Sequence, residues 1–235
     1  MSRTATKTVP AAGVSSAQLS PALVEFPRLA LPGARRVKRT LDIVFALALA
    51  IVALPVFLIT ALAILLESGR PVFFSHKRVG RGGRAFRLMK FRTMLQNSDD
   101  VLAEYLAENP EAAQEWEQNR KLRRDPRVTR IGKLLRRTSL DELPQIWNIL
   151  RGDMSMAGPR PIVQAEIAKY GTTYPLYALA KPGLTGLWQV SGRNDTTYRR
   201  RIELDAAYVR NWTPGLDVKL LVKTVGVVVK GKGAY

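Results

Sequence analysis

The chain has 235 residues, 37 of them basic and 19 acidic for a formal charge of +18, with one histidine and no cysteine. Lack of cysteine excludes a disulfide scaffold, a cysteine–zinc centre and a cysteine nucleophile, and His76 is the sole candidate base for a serine triad. The charge calls for an anionic partner (nucleic acid, anionic lipid or a phosphorylated substrate), and any metal would be held mostly by oxygen, which points to magnesium or manganese.

Residues 1–34, rich in Ala, Pro, Ser and Thr, are expected to be a flexible tail. The apolar run that follows starts too late and runs too long for a signal peptide. Residues 43–66 are 24 residues without a charge, interrupted by Pro55 and Thr60. As a straight helix the run spans about 36 Å, against a bilayer core of about 30 Å. Both flanks are basic: Arg35, Arg36, Lys38 and Arg39 before it, Arg70, Lys77, Arg78 and Arg81 after it. A spanning helix cannot keep both flanks on the cytoplasmic face, whereas a helix broken at Pro55 that dips in and returns can. Both topologies stay open on the sequence, because a break inside the bilayer leaves backbone groups that need partners there.

Residues 71–94 read as a hairpin with a turn at Gly80, Gly82 and Gly83. Two acidic helices are expected over 99–108 and 111–122 with Pro110 between them, a basic helix over 127–137, and a short helix over 139–150. GPRP, 158–161, is a rigid turn, and 182–192 is a loop with buried aromatics. A helix follows over 198–212. Residues 216–229 form a basic amphipathic segment with Leu220, Leu221, Val225, Val228 and Val229 on one face and Lys219, Lys223 and Lys230 outward, suited to a membrane surface or to core packing.

The chemistry concentrates in SLDELPQ, 139–145. Ser139 and Glu142 fit a capping box, which accounts for Glu142 but not for Asp141 beside it. Two carboxylates at a helix N-terminus next to Arg136 and Arg137 are expected to stay ionised. An ionised aspartate is a nucleophile toward phosphorus, and a glutamate beside it can hold magnesium. Lys90, Arg92, Arg136, Arg137 and Arg160 are the candidate phosphate binders, and Arg160 is preorganised between two prolines. The alternative is a membrane-anchored nucleic-acid-binding or scaffold protein, for which the net charge is the main support.

KRTLD, FRLMKFRTM, the long run from DPRVTRIGK through SLDELPQ to GPRP, and PGLTGLWQVSGR together resemble the bacterial sugar transferase family over roughly residues 36–235. These are small monotopic polyprenyl-phosphate phosphoglycosyl transferases. The C-terminal run through YVRNW to KGAY is most similar to the exopolysaccharide-initiating galactosyl-1-phosphate transferase type. The resemblance implies an α+β fold: a re-entrant membrane helix with its flanks over 35–70, and over 71–235 a small cytoplasmic domain of helices plus a β-hairpin, with surface amphipathic helices. It implies transfer of a hexose-1-phosphate from a UDP-sugar to undecaprenyl phosphate through an aspartyl-phosphosugar, with UMP released, at the bacterial inner membrane. Asp141 matches the nucleophile, Glu142 the magnesium ligand, Arg160 a phosphate binder, and Pro55 the membrane break. Many members carry Ser-Pro at that break; here the pair is Leu54-Pro55. Expected partners are therefore the two substrates and the anionic bilayer surface rather than nucleic acid. The transferred sugar, galactose or glucose, and a homo-oligomeric state stay open.

Overall fold

A computed structural model describes residues 27–119, 122, 124–192 and 196–230. The apolar run lies in a longer helix, α1 (Pro32–Ser68), which continues through Pro55, where the sequence leads one to expect a break. Pro32 sits in the first turn, where its missing N–H would have had no helical partner. Gly69, at φ 72, ends the helix in a conformation that a side chain would strain. Arg92 Nη2 then donates to the terminal carbonyls of Ser68 (2.7 Å) and Gly69 (2.8 Å), a cation at the negative end of the helix.

The chain continues through a hairpin, β1 (Phe73–Val79) and β2 (Ala85–Phe91), in antiparallel register from Phe73↔Phe91 to Val79↔Ala85. Two acidic helices follow, α2 (Ser98–Glu108) and α3 (Pro110–Asn119), then the basic α4 (Arg130–Thr138), capped by Thr129 Oγ1, which accepts from Gly132 N. After α5 (Gln145–Arg151) come β3 (Ser155–Ala157), α6 (Ile167–Tyr170), α7 (Tyr174–Leu179), β4 (Gly183–Thr185), α8 (Leu187–Val190), α9 (Tyr198–Arg210) and α10 (Pro214–Lys230). β3 and β4 pair in parallel, Ser155↔Gly183 and Ala157↔Thr185.

Both halves of α1 rest on this body. Phe45, Ala46, Leu49 and Ala50 pack with Leu88, Ile146 and Ile149. Phe57, Ala61 and Ile64 pack with Phe91 and Leu135, and Leu143 touches both groups. Between them the helix surface is bare: Ile51 is 74% exposed and Val52 76%. Among the described residues α1 is the one helix long and apolar enough to cross a membrane.

A buried ionic hub fixes the N-terminal half of α1. Lys38 Nζ reaches Asp217 Oδ2 of α10 at 2.7 Å, and Asp217 also accepts from Tyr208 Oη and Trp212 Nε1. One turn along, Asp42 accepts from Ser155 Oγ and Met156 N of β3.

Several expectations change. Of the tail expected over 1–34, residues 1–26 lie outside the described part; Leu29 is buried beside Tyr208 and Trp212, and α1 has begun by Pro32. Pro110 opens α3 rather than separating it from α2, since a first-turn proline needs no N–H donor. The expected helix over 139–150 is broken by Pro144, leaving a 3₁₀ turn (Leu140–Glu142) ahead of α5. The expected loop over 182–192 contains β4 and α8. On α10 the inward residues are Asp217, Leu220 and Leu221, while Val225 stands outward with Val218 and Val222. The KGAY end lies outside the described residues.

Candidate active site

A cavity of about 920 Å³ opens between the hairpin, the 3₁₀ turn and the segment that follows β3. Lys90 of β2 lines it, and its Nζ donates to Asp141 Oδ2 (3.1 Å) and Glu142 Oε1 (2.7 Å). Asn148 holds α5, and with it the preceding turn, against the free edge of β2. Its side chain accepts from Met89 N and donates to Arg87 O, as a neighbouring strand would.

The turn is built on Ser139, the one non-glycine residue at positive φ (59°) among the described residues. Strain of this kind persists where the surroundings over-determine it. The capping box does not form: the Ser139 side chain makes no cap bond, and the Glu142 carboxylate faces Lys90 instead. Asp141 is 8% exposed. Burial pushes its carboxyl above the usual range, Lys90 pulls it back, and the Glu142 charge pushes it up again. The expectation of a pair held ionised by a helix dipole and the neighbouring arginines is thus revised: a three-residue turn brings little dipole, Arg136 pulls the Asp141 carboxyl down less than Lys90 does, and Lys90 supplies the main counter-charge. Burial would depress the Lys90 ammonium, but the two carboxylates outweigh it and hold its pKa above the ordinary lysine value.

Arg136 of α4 lines the same cavity, its Nε held by Thr93 Oγ1 at 3.0 Å. Arg137 is exposed and does not line it. Arg92 is 93% buried: Nη2 is committed to the end of α1, while Nε and Nη1 have no partner among the described residues. His76 is exposed on β1, away from the cavity wall.

Arg160 reaches the cavity on a doubled backbone. Gly158 N donates to Thr185 O and Gly183 N to Pro159 O, both at 2.8 Å. A Cβ on Gly183 or Gly186 would collide with the Gly158 backbone, so the glycines of PGLTG are what let that segment lie against GPRP. The contact brings Trp188 under the Arg160 guanidinium, 5.2 Å from the ring centroid. Asp205 of α9, 1% exposed, accepts from Arg160 N and from Tyr170 Oη (2.8 Å). Asn148 and Asp205 carry no sequence signal as site residues, and Trp188 reads from the sequence as packing: each acts through a backbone or ring contact that only the fold creates.

Burial raises the Asp205 carboxyl to about 7, the Tyr170 and Arg160 hydrogen bonds opposing it. Between the ordinary aspartate pKa and about 7 the folded state then holds a proton that the unfolded state does not, so this group's contribution to stability falls as pH rises through that window. Asp205→Asn keeps an acceptor for Arg160 N and is expected to remove that share. Wild type should lose more thermal stability than the variant between pH 4 and pH 7, by a few kcal/mol in melting curves at fixed salt; parallel curves would show that Asp205 is ionised throughout.

Residues 33–231 match the model of the bacterial sugar transferase family. The UDP-galactose-lipid carrier transferase of Erwinia amylovora is 49% identical over 207 residues, 88% of this chain and 43% of that protein. The undecaprenyl-phosphate galactose phosphotransferase of Salmonella typhimurium is 48% identical over the same length, again 88% and 43%. The exopolysaccharide production protein ExoY of Sinorhizobium fredii is 46% identical over 199 residues, 84% of this chain and 88% of that protein. The chain thus spans less than half the length of the first two relatives. The nucleic-acid or scaffold alternative draws no support from these matches.

Proposed function

The chain belongs to the bacterial sugar transferase family, and from that premise we propose that it is a phosphoglycosyl transferase that moves a hexose-1-phosphate from a UDP-sugar to undecaprenyl phosphate and releases UMP, in the first membrane step of exopolysaccharide synthesis. The observation that carries this reading is the pairing of adjacent Asp141 and Glu142 through Lys90, on a cavity that Arg136 and Arg160 also line.

In the first half-reaction an Asp141 oxygen attacks the sugar-bearing phosphorus, the anhydride bond to that phosphorus breaks, and UMP leaves. In the second, a phosphate oxygen of undecaprenyl phosphate attacks the same phosphorus, the acyl-phosphate bond breaks, and the Asp141 carboxylate returns. Arg136 and Arg160 hold the phosphate oxygens, and Lys90 keeps Glu142 paired while Asp141 is bonded to phosphorus. No third acidic or histidine side chain joins the carboxylates among the described residues, which suits magnesium, a cation that keeps few protein ligands and completes its shell with phosphate and water. Glu142 would hold it, with manganese as the alternative, and when bound it neutralises phosphate charge during transfer.

We read α1 as a re-entrant helix in the bacterial inner membrane, with the catalytic body in the cytoplasm. The two halves of α1 leaning on one body, with a bare apolar surface beside Pro55 between them, support this reading. Outward Val218, Val222 and Val225 beside Lys219 and Lys223, together with Trp147 at 63% exposure, suit an anionic bilayer surface. Since the chain has no cysteine, Arg36→Cys and Lys77→Cys provide clean reporters. Both should be shielded from a periplasmic thiol reagent in intact cells, and labelling of one alone would establish a spanning helix.

Radiolabelled UDP-galactose or UDP-glucose, given to the purified protein with undecaprenyl phosphate and magnesium, should yield lipid-linked sugar and UMP in equal amounts. The better donor identifies the sugar, and no lipid product from any UDP-sugar would overturn the proposal.

A further inference from the structure

The cavity has a polar wall that the carboxylate chemistry does not use. Arg78 of β1 and Trp188 and Gln189 of α8 line it beside Arg160. Arg201 of α9 stacks on the Trp188 ring at 5.0 Å, so Trp188 holds two guanidiniums. Among the described residues, every buried side-chain nitrogen or oxygen without a hydrogen-bond partner belongs to a residue of this cavity's wall: Arg78, Arg92, Trp188 or Gln189. Folded proteins leave few such atoms unmatched, so their concentration on one cavity calls for a partner from outside the chain.

The chemistry of that partner can be read from the groups. The acids nearby are already engaged: Glu166 accepts from Val163 N and Tyr198 Oη, and Asp205 from Arg160 N and Tyr170 Oη. Burial and then the Arg160 charge push the Arg78 and Arg201 guanidiniums down, outweighing the pull of the Glu166 carboxylate on both. Arg92 Nε and Nη1 belong to the side of the cavity by the end of α1; beside Arg160 the wall offers two unmatched donors, Arg78 Nε and Trp188 Nε1, and one unmatched acceptor, Gln189 Oε1. Two donors and one acceptor complement the edge of uracil, which presents two carbonyls and one N–H.

We propose that Arg78, Trp188 and Gln189, with Arg160 and Arg201, form the subsite for the UMP half of the donor. The inference rests on the transferase reading above and adds the residues that would read the nucleotide. Position along β1 separates this subsite from the lipid substrate. Phe73 and Phe74, exposed near the end of α1, lie toward the opposite end of the strand from Arg78, about 14–17 Å away at the rise of a β-strand. The apolar end suits the polyprenyl chain and the basic end the nucleotide, with Asp141 reached from both.

Equilibrium dialysis of radiolabelled UMP against the full chain in detergent, alongside donor and acceptor KM values, tests this. Wild type should bind UMP saturably, Arg78→Met should weaken it at least about tenfold, Gln189→Leu several-fold, and Arg78→Lys should restore part of the loss. Donor KM should follow, with acceptor KM unchanged. Should Arg78→Met fail to fold, Gln189→Leu carries the test. The proposal is overturned by absence of UMP binding, by inorganic phosphate competing as well as UMP, or by a change in acceptor KM alone. A chain that binds UMP with this dependence but transfers no phosphosugar counts against the transferase reading and for the subsite; normal turnover with UMP binding indifferent to Arg78 and Gln189 counts the other way.

Discussion

Asp141→Asn is expected to lower phosphosugar transfer at least about 10³-fold while changing folding stability by no more than about 1 kcal/mol. Asparagine has nearly the same shape but no anionic oxygen to bond to phosphorus. The fold tolerates it because burial and the Glu142 charge already favour the uncharged form of this side chain, and because Lys90 retains Glu142 at 2.7 Å. The same upward push sets the sign of the pH dependence in wild type. Ionised nucleophile is lost as pH falls, and lost at a higher pH than for an ordinary aspartate, so the acid limb of kcat/KM for the UDP-sugar should lie above the usual aspartate range. Full activity in the variant would remove Asp141 from the mechanism. A large loss of melting temperature would make it a structural residue instead.

Asp217→Ala should carry the largest stability loss, about 3–5 kcal/mol, read from thermal or denaturant unfolding in detergent. Three donors converge on this carboxylate, Lys38 Nζ, Tyr208 Oη and Trp212 Nε1; without it Tyr208 Oη still has the Ala157 carbonyl at 2.8 Å, whereas Trp212 Nε1 and the Lys38 ammonium lose their short partner in the core. Lys38 is the worst affected, an ammonium 6% exposed that keeps only the longer 3.5 Å contact with Asp42. Desolvation makes the stranded charge, rather than the lost pair, the main cost. Lys38→Met combined with Asp217→Leu should therefore recover much of the stability that Asp217→Ala loses. A double variant no more stable than the single one would place the loss in the Tyr208 and Trp212 bonds.

What the sequence made legible follows from how local each signal is. The apolar run, the glycine turn of the hairpin and the acidic helices rest on composition and short-range periodicity, and all appear close to their expected places. The Ser139–Glu142 spacing has two structural solutions, a capping box or a strained turn, and Pro144 together with Lys90 from a distant strand decides for the turn. Arg92 read as one more cation near the carboxylates; its clamp on the end of α1 depends on where β2 finishes, which no local pattern encodes. The β3–β4 pair was missed because three-residue strands lack periodicity, and their pairing depends on the backbone contact of Gly158 with Gly183.

Whether transfer passes through an aspartyl-phosphosugar is decided by the intact mass of the purified protein incubated with magnesium and a UDP-sugar in the absence of undecaprenyl phosphate. The protein should become heavier by one hexose phosphate, modified at Asp141, together with one equivalent of UMP; the adduct should disappear when undecaprenyl phosphate is added and never form on Asp141→Asn. Steady transfer to lipid with no adduct at any time, or an adduct on another residue, would contradict that route.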